Sequence, residues 1–148
     1  MMKRRSVQKG LRLVKVWIDT NVILDVLCNR PAFVEASADV WKQCEVHNIE
    51  GYVSSRSVLN IVYIMRKELT QEKTGEIIRQ ISLIFKVVDL RADDIMRAAD
   101  LPFADYEDAV QSVGAARVKA QFIVTRNIKD YANSKIPAIK PSELLERL

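Results

Sequence analysis

The chain has 148 residues, of which 49% are hydrophobic and 28% charged, so it is long enough for one globular domain with a sizeable core. A single histidine excludes a histidine-rich zinc site, and no apolar stretch approaches the roughly 20 residues of a membrane span. The formal net charge is +4, and its location along the chain is more informative than its size. We therefore expect a cytoplasmic protein without membrane contact, whose hydrolytic chemistry, if any, depends on carboxylates.

The positive charge is concentrated at the N-terminus. Residues 3–15 contain six basic residues and no acidic one; removing these six from the 23 basic residues leaves 17 against 19 acidic ones. This asymmetry predicts a basic tail over residues 1–13, followed by a single domain over residues 14–148. A basic arm can hold a phosphate backbone, and the alternative is a solvated leader.

Along the domain, short apolar runs alternate with segments of helical periodicity. In chain order these predict a strand at 13–18, a helix from Val22, a helix at 32–46, a strand at 51–54, a helix to 69 that Ser54 or Ser55 caps, a helix at 70–85, a strand at 86–90, helices at 92–100 and 105–119, a strand at 121–125, a helical turn at 127–131, a strand at 136–139 and a helix from Pro141. The first helix presents its apolar residues on one side and Asp25 on the other.

This alternation predicts an α/β fold, a three-layer α/β/α sandwich around a mostly parallel sheet of four to five strands. Ligands of such sheets bind beyond the carboxyl ends of the strands. Asp19 follows the first strand, the pair Asn127 and Asp130 follows the fourth, and the pair Asp105 and Asp108 begins the helix before it. These acidic segments, distant in sequence, are therefore expected to share one rim.

Helix capping is the plain alternative for each of these residues. Asp19 stands where a cap is common, and the two pairs on this rim each have the spacing of a capping box. The turn Asp105–Asp108, however, contains three acids, more than a cap requires. Ser112 shares the helix face of Asp108 and is expected to donate to it, whereas Glu107 is expected to point elsewhere into solvent.

Several like charges on one rim raise each other's pKa unless a cation neutralises them. Oxygen ligands suit Mg²⁺ or Mn²⁺, which can polarise a phosphoryl oxygen and lower the pKa of a bound water. Asn60, in the middle of an apolar helix, needs partners if it is buried, and a satisfied core amide is its simplest explanation.

Four segments of the chain resemble the PIN domain family in order and spacing, over about residues 14–145. They are DTNVILD at 19–25, residues 55–67, DYEDA at 105–109 and TRNIKDY at 125–131. The resemblance implies a PIN-like, Rossmann-like fold and a Mg²⁺- or Mn²⁺-dependent ribonuclease. Many bacterial members are VapC-type toxins paired with an antitoxin, and many are dimers, so an RNA substrate, an antitoxin and a homodimer are also implied.

The family pattern has four acids, and two of its positions depart here. The first acid maps onto Asp19 and the third onto Asp108, with Asp105 close by. The second, a Glu on the third helix, falls at or beside Asn60, and the fourth group maps onto Asn127 and Asp130. The implied metal and catalytic residues are Asp19, Asp105, Asp108 and Asp130; the supporting residues are Asn21, Asn60, Ser112, Thr125 and Asn127; and the cations that face RNA phosphates, unless they are simply solvated, are Arg30, Lys67, Arg126 and Lys129.

Three functions remain open at this point. The first is a metal-dependent endoribonuclease, the toxin of a toxin–antitoxin pair. The second is a catalytically weak or inactive module of the same fold that binds nucleic acid, since Asn60 and Asn127 supply no charge to a metal. A phosphotransferase of the haloacid dehalogenase type also uses an Asp after the first strand, but it usually needs a second Asp where this chain has Asn21.

Overall fold

The structure is a computed structural model that describes residues 13–148, so the predicted basic tail lies outside the described residues except for Leu13. The elements are β1 (Val14–Ile18), α1 (Thr20–Leu27), α2 (Val34–Glu45), β2 (Ile49–Ser54), α3 (Ser55–Met65), α4 (Gln71–Ile84), β3 (Lys86–Val88), α5 (Ala92–Ala98), α6 (Tyr106–Arg117), β4 (Phe122–Val124), a 3-10 turn (Ile128–Tyr131), β5 (Ala138–Ile139) and α7 (Pro141–Leu145). Within this described part, no helix combines the length and the apolar character that crossing a membrane requires.

The five strands form one sheet in the order β3-β2-β1-β4-β5, and every neighbouring pair is parallel. The expected α/β sandwich with four to five mostly parallel strands is therefore confirmed, with five strands. The last three strands are shorter than the apolar runs suggested; β3, for example, ends at Val88 rather than Leu90. With β1 at the centre, the residue after it lies in the middle of the carboxyl edge, where parallel sheets bind ligands.

Alternate residues of β1 enter two separate cores, one on each face of the sheet. Val16 and Ile18 belong to the larger cluster, which also contains Trp41 and Phe85 packed edge to face. Trp17 belongs to the cluster on the other face, with Tyr52 and Tyr131. Because strand side chains point to opposite faces in turn, a run that is apolar throughout must be covered on both sides.

Helix α6 approaches the sheet closely because it has a glycine where it crosses β1. A Cβ atom on Gly114 would lie 2.6 Å from Cη2 of Trp17, closer than any ordinary contact. The indole N–H of Trp17 donates to Oε1 of Gln111 at 2.6 Å, one turn earlier on the same helix. These two contacts fix the start of α6, and with it Asp108, at the carboxyl edge of the sheet.

Candidate functional site

The carboxylate of Asp19 serves two partners with two different oxygens. Oδ1 accepts from the backbone N–H of Thr20 at 2.8 Å and so caps α1, as the sequence suggested. Oδ2 accepts from the hydroxyl of Thr125 at 2.8 Å. Burial raises the pKa of Asp19, while these hydrogen bonds lower it and the charges of Asp130 and Glu107 raise it further. Capping therefore uses only half of this carboxylate.

Thr125, fully buried just beyond β4, organises the segment after that strand. Its hydroxyl oxygen also accepts from the backbone N–H of Asn127 at 3.0 Å. Within residues 13–148, the side chain of Asn127 makes no capping hydrogen bond to the 3-10 turn, so the capping explanation is wrong for this residue. Its amide is exposed on the rim, as is Asp130.

Asp108 stands at the beginning of α6 among other acids. Asp105 caps the helix by accepting from the N–H of Asp108 at 3.1 Å, which confirms the cap reading for Asp105. Burial, followed by the charges of Asp105, Asp19 and Asp130, raises the pKa of Asp108 to about 7. The phenol of buried Tyr131 lies 3.4 Å from Oδ1 of Asp108, a long hydrogen bond that partly offsets this rise.

The predicted acids therefore share one electrostatic environment, although they are not gathered into a ready ligand cluster. Asp19, Asp105 and Asp130 all act on Asp108. Across the residues that the structure describes, no three His, Cys, Asp or Glu side chains are close enough together to hold a metal ion. The donors themselves are carboxylate and amide oxygens, the chemistry that Mg²⁺ and Mn²⁺ prefer, and neutralisation by a cation would relieve the raised pKa values. The donor set thus fits a hard divalent ion.

Ser112 does not donate to this rim. It lies on α6 and is buried, and its hydroxyl donates to the carbonyl oxygen of Ala109 at 2.8 Å, on the same helix. A serine inside a helix commonly satisfies its hydroxyl in this way, on a carbonyl of the preceding turn. The expectation that Ser112 orients a site carboxylate is therefore not met.

Glu107 is held by a neighbouring helix, a contact that the sequence did not predict. It does not simply point into solvent: Asn60 Nδ2 donates to its Oε1 at 3.2 Å, and Arg56 donates to its Oε2 at 3.2 Å. The side chain is 45% exposed, at the gap between α3 and α6. Arg56 and Asn60 are four residues apart and therefore share one face of α3, which the sequence alone could show. That this face meets Glu107 of α6 could not be inferred from residue spacing.

Two of the four predicted phosphate-binding cations are engaged elsewhere. Arg30 and Arg126 both contact Asp25, at 3.4 Å and 3.0 Å, and Asp25 has no exposed surface. Ser37 donates to the same carboxylate at 3.1 Å, and Arg30 also donates to Asn21 at 3.3 Å. The side of α1 that was expected to lie away from the core therefore carries a buried carboxylate, that of Asp25. Lys67 and Lys129 are exposed and form no ion pair within the described part of the chain.

A buried line of polar side chains runs beneath the rim. Thr20 shares a hydrogen bond of 2.7 Å with Ser57, and Gln111 donates to Ser57 at 3.2 Å. Gln111 accepts in turn from Trp17. A buried network in which the polar groups are hydrogen-bonded to one another favours a single packing arrangement of the core. This line joins α1, α3 and α6 to the central strand, and so brings Asn60 of α3 within reach of Glu107 of α6.

Comparison with known proteins agrees with this architecture. A family model described as the PIN domain matches residues 15–129. Ribonuclease VapC1 of Aquifex aeolicus is 23% identical over 138 residues, covering 90% of this chain and 94% of that protein. Among solved structures, a toxin–antitoxin complex from Klebsiella pneumoniae superposes with a TM-score of 0.63 at 17% identity, covering 85% of this chain and 97% of that one. VapC20 of Mycobacterium tuberculosis, described as a toxin that cleaves the sarcin–ricin loop, gives 0.62 at 11% identity, covering 82% and 98%.

Proposed function

The chain belongs to the PIN domain family, and we propose that it is an endoribonuclease that hydrolyses RNA phosphodiesters at a carboxylate-bound Mg²⁺ or Mn²⁺ site centred on Asp19. The observation that carries this proposal is the Asp19 carboxylate itself. It stands at the carboxyl end of the central strand, is held by Thr125, and lies near enough to Asp108 and Asp130 for their charges to interact.

Asp19, Asp108 and Asp130 are the residues that would hold the cation, with Asp105 and the amide oxygen of Asn127 beside them. A bound divalent ion supplies polarisation of the phosphoryl oxygen and a lowered pKa for the attacking water. The chain contributes orientation: Thr125 fixes one oxygen of Asp19, and Tyr131 restrains Asp108. Exposed Lys67 and Lys129 are the cations that remain to contact RNA phosphates.

The same reasoning extends to partners. The relatives are a ribonuclease named VapC1 and chains of toxin–antitoxin complexes, which supports a role for this chain as the toxin of such a pair. We accordingly propose a cognate antitoxin that restrains the nuclease, and a homodimeric toxin. Co-purification of the chain with the product of a neighbouring gene, followed by mass measurement of the intact complex, tests both.

The decisive experiment compares the wild-type chain with Asp19→Asn on a panel of structured RNAs that includes a sarcin–ricin loop hairpin, with and without Mn²⁺. We expect cleavage by the wild type only when Mn²⁺ is present, and none by the variant. Asp19→Asn retains an oxygen that can cap α1, and a thermal melt checks that it folds. Equal cleavage by the two proteins would refute the proposal.

A second function is favoured by the amides at the rim. Asn60 and Asn127 bring no charge to a metal, which supports a catalytically weak module of the PIN fold that binds nucleic acid without cutting it. Calorimetric titration with Mn²⁺ separates the two functions. Carboxylate-dependent binding accompanied by turnover excludes the passive module, whereas RNA retention without either property supports it.

A further inference from the structure

Two consecutive residues beyond β4 hold the two ends of α1. Thr125 donates its hydroxyl at 2.8 Å to Asp19, which caps the beginning of this helix. Nε of Arg126 lies 3.0 Å from Oδ2 of Asp25, near the end of the same helix, and Asp25 has no exposed surface. The side chain of Arg126, which the sequence suggested would face RNA, is only 22% exposed and is therefore engaged within the fold.

The guanidinium of Arg126 is held from a second side by an aromatic ring. Its central carbon lies 3.9 Å from the centroid of the Phe33 ring, at the start of α2. Nε is buried and has no hydrogen bond of good geometry within the described residues, so its contact with Asp25 is an ionic one. A planar cation that stacks on a ring and meets a carboxylate has little freedom to turn. Arg126 is therefore a fixed point in the segment after β4.

Asp25, the anion that Arg126 contacts, is fixed independently of it. Ser37 of α2 donates to Oδ2 of Asp25 at 3.1 Å, and Arg30 lies 3.4 Å from Oδ1. Loss of the Arg126 guanidinium would therefore leave Asp25 with both a cation and a hydrogen-bond donor. The contact ties Arg126 to a group that is already held in place.

Thr125 needs such an anchor on one side only. The sheet fixes it on the other, because its backbone N–H donates to the carbonyl oxygen of Ile139 in β5 at 3.0 Å. Beyond Thr125 the chain leaves the sheet, and the hydroxyl accepts from the N–H of Asn127 as well as donating to Asp19. The direction of this hydroxyl is therefore set by a short segment whose middle residue is Arg126.

We propose that Arg126, anchored on Asp25, is a positioning residue of the Asp19 site. It holds the backbone beyond β4 in the conformation that aims the Thr125 hydroxyl at Oδ2 of Asp19. This inference rests on the function proposed above and adds no ligand to the site. The alternative is that Arg126 only neutralises the buried charge of Asp25.

Two substitutions of the same kind separate these roles. Arg126→Met and Arg30→Met each remove one guanidinium and one positive charge from Asp25, and each leaves it the other arginine and Ser37. Only Arg126 belongs to the segment that carries Thr125. Methionine keeps an apolar side chain at either position, and circular dichroism melts confirm that both variants are folded at the temperature of the measurements.

Amide hydrogen exchange, followed by NMR without any metal, reports on the geometry directly. The N–H of Asn127 donates to the hydroxyl of Thr125 at 3.0 Å, so its exchange rate responds to any displacement of that hydroxyl. The internal reference is the N–H of Ser57, which also donates to a hydroxyl at the end of a strand, that of Ser54 in β2, at 3.0 Å.

We expect Arg126→Met to speed exchange at Asn127 about tenfold and to leave Ser57 unchanged, as a local opening does. Arg30→Met is expected to leave both amides unchanged. Equal acceleration at the two amides in Arg126→Met would show a general loss of stability instead, and would overturn the proposal.

Mn²⁺ affinity, measured by calorimetry, links this geometry to the site, and the two roles predict opposite signs. Removing a nearby positive charge favours a cation, so we expect Arg30→Met to bind Mn²⁺ as tightly as the wild type or slightly tighter. Arg126→Met is expected to bind several-fold more weakly, because Asp19 loses its oriented donor, but no more weakly than Thr125→Val. Adding Arg126→Met to Thr125→Val should then cause no further loss, since both act through one hydroxyl.

The outcomes distinguish the two levels of the proposal. If exchange at Asn127 is unchanged in Arg126→Met, or if this variant binds Mn²⁺ as tightly as the wild type, the positioning role is refuted and the proposed function stands. If the wild type neither binds Mn²⁺ nor cleaves RNA, the proposed function is refuted, and the role of Arg126 in it as well, whatever the exchange rates show.

Discussion

The hydroxyl of Thr125 lies 2.8 Å from Oδ2 of Asp19 and joins the carboxyl ends of two neighbouring strands, β1 and β4. Thr125 is fully buried, so its hydroxyl has no contact with solvent. The bond lowers the pKa of this carboxylate and so opposes the rise that burial causes. It is also the contact that orients the oxygen of Asp19 that the helix cap does not use.

Replacing this hydroxyl by a methyl group tests its contribution. Thr125→Val keeps the shape of the side chain but leaves Oδ2 of Asp19 without a donor, so the pKa of Asp19 rises and its charged form becomes rarer. We expect Mn²⁺ affinity at pH 7 to fall about tenfold or more, within the range seen when an orienting partner of a metal ligand is lost. Thr125→Ser, which retains the hydroxyl, is the matched control and is expected to stay within a few-fold of the wild type.

The raised pKa of Asp108 predicts an unusual pH dependence of the stability of the metal-free protein. Its folded-state pKa of about 7 lies above the ordinary value of 3.8, so the folded state binds the extra proton between these pH values. Its contribution to stability is fully present below about pH 4 and is lost as the pH rises through 7. We expect Asp108→Asn to raise the melting temperature of the metal-free protein by roughly 3 °C at pH 8, and to change it little at pH 4. A variant that melts lower than the wild type at pH 8 would contradict this.

We expect substitution of the buried Asp25 to cost much more stability than substitution of the exposed Asp93. Asp25→Asn removes the negative charge that Arg30 and Arg126 share, and leaves two guanidinium groups, 32% and 22% exposed, without their anion. We expect a loss of about 2 kcal/mol, below the full cost of a stranded buried charge because both arginines reach water. The surface pair Asp93 and Arg97 is the control.

Asp93→Asn is expected to cost under about 0.5 kcal/mol, since both partners of this pair are about 70% exposed. Urea unfolding measures the free energy of unfolding of both variants under the same conditions. Similar losses for the two would mean that Asp25 is not the shared anion of the arginines. A larger loss for Asp25→Asn would also explain why these arginines are poor candidates for binding phosphate.

The fold could be predicted from sequence because its pattern is local. An apolar run such as that of β1 needs cover on both faces, and the polar residues after it must then lie at the edge of the sheet. The same reasoning placed Asp19 and the cap formed by Asp105 correctly. The strand limits were less certain, because β3 and β5 at the sheet's edges pair on one side only and stop where pairing stops.

The contacts between helices could not be predicted, since they depend on which faces meet. Helical periodicity put Asp25 on the side away from the core, yet Arg126 comes from beyond β4, about a hundred residues later, to meet it. Glu107 was likewise assigned to solvent because nothing near it in sequence indicates α3. In both cases the charge is satisfied by a residue distant in the chain, and no local pattern records that.

Trp17 and Trp41, the two tryptophans of the chain, lie on opposite faces of the sheet and therefore form two separate optical reporters. Trp41 is packed against Phe85, whereas the indole N–H of Trp17 leads through Gln111 and Ser57 to Thr20, next to Asp19. In a Trp41→Phe background the tryptophan fluorescence comes from Trp17 alone. The proposed binding of an ion or RNA at the rim can then be tested by emission, without any attached label.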